Sequence, residues 1–273
     1  MSYALYVDPA KKSVVPELPA GKPEIAYYRL IDCSEEQLEE FNPGLYPKAD
    51  FTIAEIHAAQ MDRLDFPVDR FSIVQQKSAF RDLTGLKSRL PETQYDITFV
   101  WDKRFTVDYY IRMLRFWIQC GVQHFSFYDL VDFDKWQRLS KFMSENGFRF
   151  YDRFHASLPG FESRYQKHIA SYGDLYAIGG WSRVTENGLT RTKGPIHKNW
   201  RILTEQDQIT EKLLFAMADC DGIELAQWGG YITENGAENV LAQGLARMEN
   251  ARLVPSDTGL WKSVELASHL HNP

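Results

Sequence analysis

Between residues 51 and 154 the chain alternates short β-rich runs with stretches of helical period, and this alternation limits its folds more than any other feature. RFSIVQ (70–75), YDITFVW (95–101) and HFSFYDL (124–130) are rich in β-branched and aromatic residues and have the length of strands. Val107, Tyr110, Ile111, Leu114, Trp117 and Ile118 recur at helical spacing, with Thr106 placed to cap and Gly121 to terminate. A second helix is expected over 132–146, closed by Asn146-Gly147, with FRFYDRF (148–154) extended after it. Ile53, Ile56, His57 and Gln60 predict a further helix ending before Pro67. Strands alternating with helices imply βαβ units and a parallel sheet. Four or five such strands can be counted, too few for a closed eight-stranded barrel. The expected fold is therefore α/β, a partial, open TIM-type barrel of parallel strands.

The flanks read differently. Residues 1–50 are punctuated by Pro9, Pro16, Pro19, Pro23, Pro43 and Pro47 and are expected to form a Pro-rich lead-in. That lead-in holds one strand, PEIAYYRLI (23–31), and one short helix capped by Ser34. The barrel is assigned to 51–200. From 201 to 273 a C-terminal helical, winged-helix-like module is expected. Thr204 with Asp207 opens a helix over 205–219, a second lies near 237–246, and strand, turn and final helix follow.

The formal net charge is −6, which gives no long-range attraction for nucleic acid or an anionic membrane. No run of about 18 apolar residues exists to span a bilayer, and the N-terminal residues lack the pattern of a signal peptide. Cys33, Cys120 and Cys220 are far apart and odd in number, which suits a reducing compartment, so the cytoplasm is the expected location.

The stretch PGFESRYQKHIASYGDLYAIGGWSR (159–183) resembles a segment of the oxygen-independent coproporphyrinogen oxidase and haem-chaperone family of radical-SAM proteins. Pro159, Gly160, Glu162, Ser163, Arg164, Asp174, Ile178, Gly179, Ser182 and Arg183 fit the family pattern. RFSIVQQKSAF, YDITFVWDKRFTVDYYIRML, HFSFYDL and the tail from LTEQDQ to ASHL are similar to other family segments in the same order, so the resemblance covers about residues 51–273. It implies a tetrapyrrole-related role, with Gln75 and Asp96 at positions the family uses around S-adenosylmethionine. Where haem-binding members carry His and Asn after E-S-R, this chain has Tyr165 and Gln166, leaving Tyr165 or His168 as candidate haem ligands.

Radical-SAM chemistry requires three clustered thiolates, C-x₃-C-x₂-C, and no two of these cysteines are near each other, so no iron–sulfur cluster is expected. The expected function is a cluster-less relative that binds haem or another tetrapyrrole, or assists a partner that handles one. Arg164, Arg183 and Arg191 with Lys167, around Tyr172, Tyr176 and Trp181, offer the cations and flat walls such a ligand requires. His155 is a candidate general acid or base. The alternatives are a non-catalytic interaction scaffold and a glycosyltransferase-like enzyme using Asp129 and Asp132-Phe133-Asp134. An open barrel leaves strand edges unpaired, so a homodimer or a partner protein completing it is expected.

Overall fold

A computed structural model describes residues 3–11, 18–57, 60, 66, 68–75, 93–194, 199–228 and 230–271. Its centre is a run of parallel strands: β1 (Tyr3–Val7), β2 (Ile25–Arg29), β3 (Phe51–His57), β4 (Arg70–Gln75), β5 (Gln94–Val100) and β6 (His124–Tyr128), in chain order across the sheet. A seventh, β9 (Asp174–Ile178), lies parallel to β1 on its other side. Antiparallel strands bound the run at both ends. β8 (His155–Ser157) and β7 (Arg149–Phe150) follow β6, while β10 (Ser182–Glu186), β11 (Leu189–Lys193) and β12 (Arg201–Ile202) follow β9. Among the described residues the sheet has 12 strands and does not close, which is the open, partial barrel expected from the alternation.

Period-2 patterning gives each inner strand two characters. One face carries Leu5, Tyr28, Ile56, Phe71, Ile97 and Phe125, all buried in the main core. Against it pack α2 (Val107–Gln119), through Leu114 and Trp117, and α3 (Phe133–Glu145), through Trp136 and Leu139. Both helices start where their caps predict. Thr106 accepts from the Tyr109 N–H, and Asp132 from that of Lys135, so the Asp132-Phe133-Asp134 run builds a helix N-terminus.

Three expectations need correction. Residues through His57 are strand, because Phe51, Ile53 and Glu55 alternate between neighbours on both sides, and tertiary pairing overrides a helix-like spacing. Residues 58–59 and 61–65 of that expected helix, and 76–80 of RFSIVQQKSAF, lie outside the described residues. The lead-in is no separate unit: it supplies β1 and β2, the middle of the sheet. The parallel strands therefore number more than the four or five counted from the sequence.

Beyond the sheet, α5 (Glu205–Met217), α6 (Leu225–Trp228), α7 (Glu234–Ala242), α8 (Asp257–Trp261) and α9 (Ser263–Leu270) join a small antiparallel sheet of β13 (Ile223–Glu224), β15 (Arg252–Pro255) and β14 (Ala246–Glu249). Leu213, Met217, Val240, Leu253, Leu266 and Leu270 form a second core there. The described residues include no helix long and apolar enough to cross a membrane.

Candidate functional site

The other face of the sheet is polar. Arg29, Glu55, Ser72, Asp96 and His124 are register partners across β2, β3, β4, β5 and β6, forming a belt through the barrel interior. Each alternates with apolar residues that point into the main core, so strand period alone puts them on one face. Asp96 anchors the belt. It accepts from the Ser72 hydroxyl at 2.7 Å and from Ser126 at 3.2 Å, and meets His124 Nδ1 at 2.6 Å. Burial opposes charge on Asp96, but His124, Ser72 and Arg70 outweigh it and hold its carboxyl below the usual range. Burial lowers the pKa of His124 against the pull of Asp96, and a neutral ring here carries its proton on Nδ1 toward Asp96 and accepts at Nε2. Tyr151, held protonated by burial, donates to that Nε2 at 2.7 Å and receives the Ser163 N–H at 3.3 Å.

A second chain of the same composition runs beside the first. Tyr128 Oη lies 3.2 Å from His155 Nε2, and His155 Nδ1 lies 2.7 Å from Asp152. The Tyr151 ring stacks on His155, at 5.8 Å between centroids. Burial works against a charge on His155, but Asp152 outweighs it and raises the pKa. His155 thus sits inside the barrel with both nitrogens engaged.

Glu55 is the third element of the interior. Burial pushes it up to about 7, against the pull of Arg29 and a hydrogen bond from Tyr27. Arg29 lies 3.5 Å from Glu55 and 3.3 Å from the fully buried Asp8, and also pairs with Asp32.

Above this layer, at the C-terminal ends of β3 to β6, opens a cleft of about 800 Å³. Val74, Val100, Trp101 and Val131 make its walls, with His57, Gln75, Asp129 and Lys135 among them. Lys135 Nζ lies 3.0 Å from Asp132 and 6.0 Å above the Trp101 ring. Burial lowers the pKa of His57, favouring the neutral imidazole. Asp129 ends β6 in the left-handed region, at φ 60°, a conformation that costs energy for any residue but glycine. Open parallel sheets characteristically bind ligands at this end of their strands.

The candidates from the sequence separate. Gln75 lines the cleft, whereas Asp96 lies in the belt beneath it. Tyr165, on α4 (Arg164–Ala170), points into the barrel and stacks on Tyr27 at 4.5 Å. His168 hydrogen bonds through Nε2 to the Asp174 carbonyl at 2.8 Å. A Cβ on Gly173 would sit 2.4 Å from that imidazole, so this glycine makes room for the ring. Arg164 lies over the Phe51 ring, and with Lys167 and His168 it lines a different cavity of about 950 Å³ beside the C-terminal module. Arg183 lies 3.9 Å over Tyr172 and donates to the Gly173 carbonyl at 3.2 Å, Arg191 pairs with Glu186, and Trp181 is exposed. These arginines and aromatics do not converge on one flat cleft.

The segment that carries the resemblance therefore does structural work. Ser163 caps α4, Ser182 Oγ accepts from the Ala177 N–H at 2.9 Å, and Gly179 takes φ 82° where a Cβ would meet the Asp8 carbonyl at 2.7 Å. The residues missed are Glu55, His124, Tyr128 and Tyr151. The signal for most of them is legible in retrospect, since R-F-S-I-V, D-I-T-F and H-F-S-F-Y each place polar residues at alternate positions of apolar strands.

Asp219, Cys220 and Asp221 come within reach of a shared ion, but Lys167 lies 2.7 Å from Asp219 and Arg149 lies 3.1 Å from Asp221. The cluster is already neutralised by cations of the chain itself.

No family model matches the sequence, and no curated protein matches it. Among solved structures the chain is similar to coproporphyrinogen III oxidase (HemN) from Escherichia coli, a radical SAM enzyme, with a TM-score of 0.63. The match covers 99% of this chain and 90% of that one at 11% sequence identity, and at that identity it shows the fold.

Proposed function

We propose, taking the fold shared with a porphyrinogen-processing radical SAM enzyme as the premise, that this protein binds haem or a related tetrapyrrole in the cleft at the barrel mouth. The observation that carries the reading is the cleft itself. It has apolar and aromatic walls and His57, which burial keeps neutral, and this suits a flat, apolar ligand; its rim carries Lys103 and Lys135 together with Asp102, Asp129 and Asp132, Lys135 being paired with Asp132. Its volume of about 800 Å³ lies within the range of small-molecule sites. Trp101 is the wall against which a conjugated ring would lie, with His57 beside it in the lining.

A four-iron cluster does not fit the thiols of this chain. Cys33 is buried after β2, Cys120 caps the end of α2 and Cys220 follows α5, so no three thiols meet. The role is binding, or supply to a partner, rather than radical chemistry.

Titration of the purified protein with haemin, followed by absorption, is the test. A saturable one-to-one Soret shift is expected, weakened at least about tenfold in His57→Ala and unchanged in His168→Ala, whose ring lies at the other cavity. Absence of a saturable shift overturns the reading. The exposed Val131, 82% accessible at the same mouth, would then favour an interaction scaffold with a partner seated on the opening.

A further inference from the structure

In a chain of formal net charge −6, helices α2 and α3 gather positive charge on one outer surface. Arg112 and Arg115 stand three residues apart on α2, and Arg138 and Lys141 three apart on α3, so each pair shares one face of its helix. The two faces border a groove of about 490 Å³, whose apolar lining is Ile111 and the buried Phe142. Arg115 lies 5.5 Å above the Phe142 ring. The lining sets these four cations against two carboxylates, Asp108 and Glu145. Arg138 on α3 holds the Asp108 carboxylate of α2 at 2.8 Å, so the groove already shows a carboxylate gripped across the two helices. Among the described residues Arg112, Arg115 and Lys141 have no such partner.

We infer that this groove docks α1 (Glu35–Glu40) of a second copy of the chain. That helix reads EEQLEE and carries no basic residue. Its buried side chain is Leu38, which fixes the helix to the main core and leaves the glutamates outside. Among the described residues Glu36, Glu39 and Glu40 have no cation partner. Glu36 stands three residues from Glu39 and four from Glu40, the helical spacing that also sets the cations of the groove in rows. Five residues past the helix, Leu45 is 76% exposed, an apolar group of the kind that Ile111 and Phe142 accept. The two surfaces are therefore complementary in charge and in their apolar component. Both lie in the layer outside the sheet, since Leu38 of α1 and Leu114 of α2 bury in one core. That is the arrangement a two-fold dimer needs, each copy giving one α1 and receiving another. Exposed ion pairs are individually weak, so the contact is held by several of them together and is sensitive to salt. Neither surface shares a residue with the cleft, and the inference does not depend on what the cleft binds.

The test follows the full chain by sedimentation velocity over a concentration series, at low and at high salt. A species of twice 31.7 kDa is expected at low salt, falling back to the monomer as salt screens the contact. Arg112→Glu/Lys141→Glu is expected to raise the dissociation constant at least about tenfold, and Glu36→Lys/Glu39→Lys to do the same. Placing all of these substitutions in one chain reverses both surfaces together and is expected to restore the dimer. A variant weakened by loss of fold would not recover in this way. A monomer at every concentration overturns the inference, as does a dimer that survives both double variants or one that the combined chain fails to restore. Should the monomer instead bind a fluorescein-labelled peptide of Glu-Glu-Leu repeats, and lose it in Arg112→Glu/Lys141→Glu, the groove serves an acidic segment of a different protein and the second copy is ruled out as its occupant.

Discussion

Glu55 gives the fold a stability that falls as pH rises. Its carboxyl is pushed up to about 7 in the folded chain from an ordinary value of 4.5, so between those values the unfolded chain ionises first and is favoured. The loss is on the order of 3 kcal/mol by pH 7. His155 acts in the same direction, since its raised pKa stabilises the fold below its ordinary value of 6.5 and that support fades as pH passes the folded value. Urea unfolding of the native chain is therefore expected to show a lower midpoint at pH 8 than at pH 5, and Glu55→Gln should flatten most of that difference. Asp96 has the opposite sign. Its depressed pKa gives stability present above 3.8 and lost as pH falls through the folded value. His124→Leu leaves the Asp96 carboxylate buried without its main partner, and a loss of about 3–5 kcal/mol is expected in the same urea measurement at pH 7.

At the scale of elements, α3 is held by one residue more than any other. Trp136 is 1% exposed, stacks near Phe133, and donates from its indole N–H to the Arg153 carbonyl at 3.0 Å. Trp136→Ala is expected to cost about 3–5 kcal/mol, measured by denaturant unfolding, because it opens a cavity and orphans that carbonyl. Helices α2 and α3 were legible in the sequence because their signals are local: a cap, a 3.6-residue period and a terminating glycine or asparagine. Strand β1 was not legible. Its five residues gain their meaning from β2 on one side and from β9 on the other, a partner far along the chain. The same reason hid the site. Asp96, His124 and Tyr151 stand on separate elements, and only the pairing of β5 with β6 and the return through β7 and β8 brings them together. His155 was legible as an acid–base candidate, while its Tyr128 partner looked like one more aromatic in a strand.

For the whole molecule, an open sheet leaves edges that call for a partner. The antiparallel strands extend the parallel run, β8 and β7 beyond β6 and β10, β11 and β12 beyond β9, so among the described residues the outer edges are β7 and β12. A homodimer, or a partner protein at the open barrel, is the expectation that light scattering tests: a doubled mass supports the homodimer, and a mass near 31.7 kDa overturns it. The C-terminal module is fastened to the barrel by Lys167 on Asp219 and by Arg153 against Trp261, at 4.0 Å. The interior belt has one more consequence. Side chains change face with every residue of a strand, so slipping any one of β2 to β6 by a single position would drive Arg29, Glu55, Asp96 or His124 among the aromatic rings of the opposite core. A charge stranded there costs several kcal/mol, a large share of what holds a domain together. The polar groups of the interior therefore act as an alignment key: a misthreaded sheet is too unstable to persist, and only one threading seats every tooth of the key.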